Sequence, residues 1–112
     1  MLLSPMQARQ LYQHAVDNNY AILAVNADSP AAITDCLLAA KEVDAPIIIE
    51  TSLWQLKGHS WGTGDPVLGM ELYMDFLMGK GETEELAEIP IVYDTDHIKG
   101  GQRQLKLRTN DN

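Results

Sequence analysis

The sequence predicts an α/β fold in which parallel strands are joined by helices. Helix-start signals, each a capping side chain followed by proline, alternate with short apolar segments that suit buried strands. The helix starts are Ser4-Pro5, Ser29-Pro30 and Asp65-Pro66. The predicted strands are Tyr20–Ala27, Pro46–Ser52 and Ile89–His97. Since strands joined by helices run parallel with right-handed crossovers, we expect consecutive β/α units.

The first helix and strand are identified by a change of hydrophobic period. The first helix carries apolar residues at helical spacing and ends at Asn18-Asn19. These apolar residues are Ala8, Leu11, Tyr12, Ala15 and Val16. The next segment, YAILAVNA, is apolar without interruption up to Asn26, which is typical of a parallel strand buried on both faces.

The second half of the chain repeats the pattern with a longer connection. The second helix ends before Pro46, and three adjacent isoleucines then favour a strand because they are β-branched. A loop is predicted from Leu53 to Gly64, and the third helix is expected to break at Gly79-Lys80-Gly81. One stripe of that helix carries Val67, Met70, Met74 and Leu77, and the methionines, Met78 included, are expected in the core.

Composition restricts the class of protein. The 112 residues suit one domain, and 8 basic against 16 acidic residues give a net charge of −8. This charge disfavours nucleic acid and anionic membrane surfaces as partners. The single cysteine, Cys36, and the lack of a secretion-signal pattern favour a cytoplasmic protein.

Polar residues stand where the predicted strands end, and ligands of α/β sheets and barrels bind at that edge. Strand one ends in Asn26, strand two in Glu50-Thr51-Ser52 and strand three in Asp94-Thr95-Asp96-His97. A histidine can hold a divalent metal, and an adjacent carboxylate can act as a general acid or base. The structural alternatives are a turn cap for Asn26 and backbone hydrogen bonding for Ser52. Asp94 is interpreted as a solvated residue outside the site.

Three spaced motifs resemble the amino-terminal third of the class II, metal-dependent fructose-bisphosphate and tagatose-bisphosphate aldolases. The first motif is Tyr20–Asn26, which matches a GYAxxAxN pattern with Asn19 in place of glycine. The second runs from Ala39 through Pro46 to Ser52, and the third from Ile89-Pro90 to Asp96-His97. The resemblance covers residues 4–97.

This resemblance implies the first three strands of a (β/α)8 TIM barrel, an incomplete barrel. It implies zinc-dependent cleavage of a ketose bisphosphate to dihydroxyacetone phosphate and an aldehyde, a step of carbohydrate metabolism, in a homo-oligomer. Asp96 matches the acid/base, His97 matches one of three histidine metal ligands, and Asn26 and Ser52 match positions near the substrate.

The chain lacks part of what the resemblance implies. His14 and His59 match no ligand position, so the zinc ligand set in this chain is incomplete. Residues 98–112 are a polar tail that does not resemble the family, so the 112-residue chain is expected to be inactive alone. The alternative is a non-enzymatic remnant that self-associates through unpaired sheet edges. A third, weaker reading is another metal-dependent barrel enzyme, such as a hydrolase.

Overall fold

The computed structural model describes residues 1–61 and 64–96. Three helices and three strands alternate, as the sequence predicts. The helices are α1 (Pro5–Asp17), α2 (Pro30–Glu42) and α3 (Pro66–Gly81), and the strands are β1 (Leu23–Asn26), β2 (Ile47–Ser52) and β3 (Ile91–Asp96). A π-helical turn, Gln55–His59, precedes α3, and a short 3-10 helix, Glu84–Leu86, precedes β3. His97 and the tail lie outside the described residues.

Each helix begins where the sequence predicts, with a side chain that satisfies a backbone N–H of the first turn. Ser4 and Gln7 form a reciprocal capping box, in which each side chain accepts from the other residue's backbone N–H. The Ser29 hydroxyl accepts from the Ala32 N–H at 3.1 Å, and Asp65 accepts from the Val67 N–H at 2.9 Å. These contacts confirm the predicted helix starts.

The strands form one parallel sheet in the order β1-β2-β3. Among the described residues, β1 pairs only with β2, so the sheet is open and has the form of a barrel fragment. At the other edge, Leu2 forms a parallel bridge with Ile91 at the start of β3. The predicted parallel α/β architecture is confirmed.

The sheet has two unlike faces because side chains alternate along each strand. Ile47, Ile49 and Thr51 are buried on the face covered by α2 and α3. Ile48, Glu50 and Ser52 point to the other face and are only half-buried. The hydrophobic core therefore lies between the sheet and the helices α2 and α3, and the opposite face carries the polar residues.

Three details of the sequence prediction are wrong. Strand β1 is short and not buried on both faces: Leu23 is 68% exposed, because β1 is an edge strand. Met78 is 45% exposed because it lies on the outer side of α3. The connection after β2 contains a π-helical turn rather than only loop. By contrast, α3 ends at Gly81, within the Gly79-Lys80-Gly81 segment where the sequence predicts its end.

Cys36 packs against the core, and burial, followed by the nearby charge of Asp35, raises the pKa of its thiol. Within the described part of the chain, no helix is both long and apolar enough to cross a bilayer.

Candidate functional site

The strand register gathers the polar residues of three strands on the open face. Asn26 is aligned with Glu50, and Glu50 with Asp94. Two residues further on, Ser52 is aligned with Asp96. Residues paired in this register share a face, and positions two apart along a strand share it again. The side chains of Asn26, Ser52 and Asp96 therefore lie on the same face at the carboxyl end of the sheet.

A hydrogen bond joins the first and third strands across this end. The Asn26 amide Nδ2 donates to Asp96 Oδ2 at 3.0 Å, although the residues are 70 positions apart in sequence. The contact reaches over β2, which lies between the two strands. Asn26 is exposed and Asp96 half-buried, so this carboxylate is both oriented and accessible to a ligand.

The loop that follows Asn26 is held by three side chains, one from α3, one from the connection before α3 and one from β2. The Tyr73 hydroxyl donates to the Ala27 carbonyl at 2.5 Å, and the Trp61 indole N–H donates to the Asp28 carbonyl at 2.8 Å. The Thr51 hydroxyl donates to the Asp28 carboxylate at 3.1 Å. Burial, followed by the nearby Asp28, raises the pKa of Tyr73, so its hydroxyl remains a donor at all physiological pH values.

Two further residues share the open face but were not among the predicted site residues. Glu50 lies between Asn26 and Asp94 in the register. Tyr12 on α1 faces the same region: burial raises its pKa first, and the charges of Asp94 and Glu50 raise it further. Glu50 belongs to the polar end of the second predicted strand, and its two-residue spacing from Ser52 could have added it to the predicted site. No local pattern could have shown that α1 brings Tyr12 to the sheet.

A cleft of about 320 Å³ lies between α1 and β3. Ser4, Arg9, Tyr12 and Asp94 supply its polar lining. The cleft lies nearer the amino-terminal end of β3 than the Asn26–Asp96 contact does, and neither of those two residues lines it. The chemistry predicted from the strand ends therefore belongs to the sheet edge rather than to this cleft.

The described residues do not make a metal site by themselves. No group of three His, Cys, Asp or Glu side chains in residues 1–61 and 64–96 is arranged to hold a metal ion. The predicted ligand His97 lies outside the described residues, directly after Asp96. Any metal bound at this edge would therefore need further ligands from outside that part of the chain.

Comparisons with known proteins bear on the same segment. The family model of class II fructose-bisphosphate aldolases matches residues 6–108. A fructose-bisphosphate aldolase of Ureaplasma parvum is 37% identical over 51 residues, which are 45% of this chain and 18% of that protein. A crystal structure of fructose-bisphosphate aldolase from Campylobacter jejuni superimposes with a TM-score of 0.70 at 27% identity.

The structural match covers 98% of this chain and 31% of the Campylobacter jejuni chain. The chain thus spans less than a third of either relative's length. The resemblance predicted from three short motifs is confirmed at the level of the family and of the barrel-type fold. The chain belongs to the class II fructose-bisphosphate aldolase family.

Proposed function

We propose that this chain carries the proton-transfer and substrate-positioning part of a class II aldolase site, which cleaves a ketose bisphosphate to dihydroxyacetone phosphate and an aldehyde. The single observation that supports it is the Asn26–Asp96 hydrogen bond at the carboxyl end of a parallel sheet. This bond brings two residues of separate family motifs into one cluster.

The residues of the cluster have chemically distinct roles. Asp96 takes and returns the proton of the substrate's C4 hydroxyl, because a carboxylate there can act as a general base and then an acid. Asn26 orients that carboxylate and offers its remaining donor and acceptor to substrate hydroxyls. Ser52, the register partner of Asp96, supplies a hydroxyl at the same edge.

Zinc would supply Lewis-acid polarisation of the substrate ketone. His97 is the ligand that this chain would offer, and the described residues contain no group of three His, Cys, Asp or Glu side chains that could complete the site. We place the barrel unit at residues 1–97 and the protein in the cytoplasm, where carbohydrate-cleaving aldolases meet their substrates. Residues 98–112 form a polar tail in this proposal, of which residues 98–108 lie within the family match.

The function is tested with a chimera in which residues 6–96 replace the matching segment of the Campylobacter jejuni aldolase. Release of dihydroxyacetone phosphate is measured from fructose 1,6-bisphosphate and from tagatose 1,6-bisphosphate. We expect the chimera to cleave one of these substrates and the 112-residue chain alone to cleave neither. A folded, zinc-loaded chimera that cleaves neither substrate would contradict the proposal.

Zinc content separates a complete site from an incomplete one. A catalytic zinc site takes three protein ligands, and this chain offers only His97 at a family position. We therefore expect well under one zinc per chain after dialysis, with no change in His97→Ala. Stoichiometric zinc that is lost in His97→Ala would instead indicate a working site, completed by another subunit.

A second candidate function, self-association, is favoured by the edge of β1, which has no strand partner besides β2 among the described residues. An apolar groove of about 510 Å³ runs beside this edge, between β1 and α2. Leu23 in its wall is 68% exposed and Val43 is 72% exposed. A free edge beside exposed apolar side chains is a common route to pairing between chains.

This alternative predicts a specific mutational effect. We expect Leu23→Lys to weaken any dimer by more than about tenfold, since a charge would be buried at the contact. The matched control is Val16→Lys, because Val16 is 71% exposed but lies on α1 outside the groove. Sedimentation over a range of concentrations measures the effect. A chain that stays monomeric throughout excludes the candidate.

A further inference from the structure

Strand β1 has little of its own to fix Asn26. It is four residues long, and among the described residues it pairs with β2 alone. Asn26 is its last residue and is exposed, so packing does not restrain its side chain. A hydrogen bond to a residue two strands away nevertheless requires a defined backbone direction at this point.

The backbone direction at Asn26 is restrained by hydrogen bonds to the next residue, Ala27. The Ala27 carbonyl directly follows Asn26 in the chain and accepts the hydrogen bond of Tyr73, a residue of α3. Ala27 is fully buried, and its N–H donates to the Glu50 carbonyl at 3.0 Å. Both polar groups of the Ala27 backbone are therefore held, one by β2 and one by α3.

Tyr73 is itself held rigidly. It is fully buried, and its ring lies 5.4 Å from the ring of Trp61 and 5.4 Å from that of Tyr93. Rings packed on two sides have no room to change rotamer. Phenylalanine would fill the same space, so the distinctive contribution of tyrosine at this position is the hydroxyl.

We propose that Tyr73 is a positioning residue, whose hydroxyl holds the Ala27 carbonyl so that the Asn26 amide meets Asp96. The Trp61 indole, bonded to the next carbonyl along, supports the same loop. This inference rests on the proposed function only for the use that the site makes of the Asn26–Asp96 pair. The pair itself can be measured in the chain alone.

The test is a double-mutant cycle between Asn26→Ala and Asp96→Ala, measured by urea unfolding of the full chain in three backgrounds. We expect a coupling of about two- to five-fold in the unfolding equilibrium constant of the parent, since the bond is partly exposed. In the Tyr73→Phe background this coupling should disappear.

Tyr93→Phe is the matched control background. Tyr93 belongs to the same aromatic cluster, but its hydroxyl donates to the Met70 sulfur at 3.6 Å rather than to the Ala27 carbonyl. Its loss should lower stability and leave the coupling intact. Equal coupling in the parent and Tyr73→Phe, or loss of coupling in both tyrosine variants, would overturn the proposal.

A second measurement does not depend on a cooperative transition. In ¹H–¹⁵N spectra, Asp96→Ala should move the Asn26 side-chain amide signals of the parent and of Tyr93→Phe, but not those of Tyr73→Phe. Movement of the same size in Tyr73→Phe contradicts the proposal. An inactive chimera with intact coupling would refute the aldolase function alone, and an active chimera with unchanged coupling would refute the positioning role alone.

Discussion

Replacing Asp96 with asparagine in the active chimera is expected to lower turnover by about 10²–10⁴-fold, the usual contribution of a general acid–base group. Asparagine keeps the shape of the side chain and can still accept from the Asn26 amide, so the contact across β2 survives. What it removes is the ability to take up and return a proton. The loss should therefore appear in kcat, with the substrate KM little changed.

The control for this variant is Asp94→Asn. Asp94 lies on the same face two residues earlier, is exposed, and accepts from the Thr95 N–H at 2.9 Å. Removing its charge alters the electrostatic field of the open face without touching the Asn26–Asp96 pair. We expect turnover close to that of the parent chimera. Comparable losses in both variants would mean that the net negative charge of the face matters, and no proton transfer would be assigned to Asp96.

The regular elements were predictable because their signals are local. The Ser4, Ser29 and Asp65 caps with their following prolines predict the helix starts, and the isoleucine run predicts β2. The burial of β1 was not predictable from its composition. An uninterrupted apolar segment predicts a strand that is covered on both faces. Whether other elements cover those faces depends on distant parts of the polypeptide.

The polar cluster was only partly predictable for a related reason. Ending three strands in Asn26, Ser52 and Asp96 indicates a shared edge, since the carboxyl ends of parallel strands meet there. The bond between Asn26 and Asp96 depends on the register of two ladders and on a loop held by Tyr73. The sequence around Tyr73 has the pattern of an ordinary core helix, so the contact of its hydroxyl with the loop could not be predicted.

Gly69→Ala is expected to destabilise the fold by about 3 kcal/mol, a large part of the stability of a domain this size. A Cβ at position 69 would lie 1.9 Å from the carbonyl oxygen of Leu56 and 2.7 Å from its carbonyl carbon. Both are backbone atoms of the π-helical turn, and Leu56 is fully buried. Since no side-chain rotation can relieve the clash, either α3 or the turn must move. Urea unfolding followed by circular dichroism measures the change.

Gly79→Ala is the matched control, because it lies in the same helix with nothing within 4 Å of its added Cβ. It should stabilise the chain by about 0.5–1 kcal/mol, the gain in helix propensity over glycine. The same gain acts at position 69, so the difference between the two variants isolates the close approach of α3 to the turn. Because that turn leads to Trp61, which bonds the loop after Asn26, Gly69→Ala should also shift the Trp61 fluorescence. Two variants of equal stability would show that the turn does not pack against α3, and the support of the loop by Trp61 would lose its structural basis.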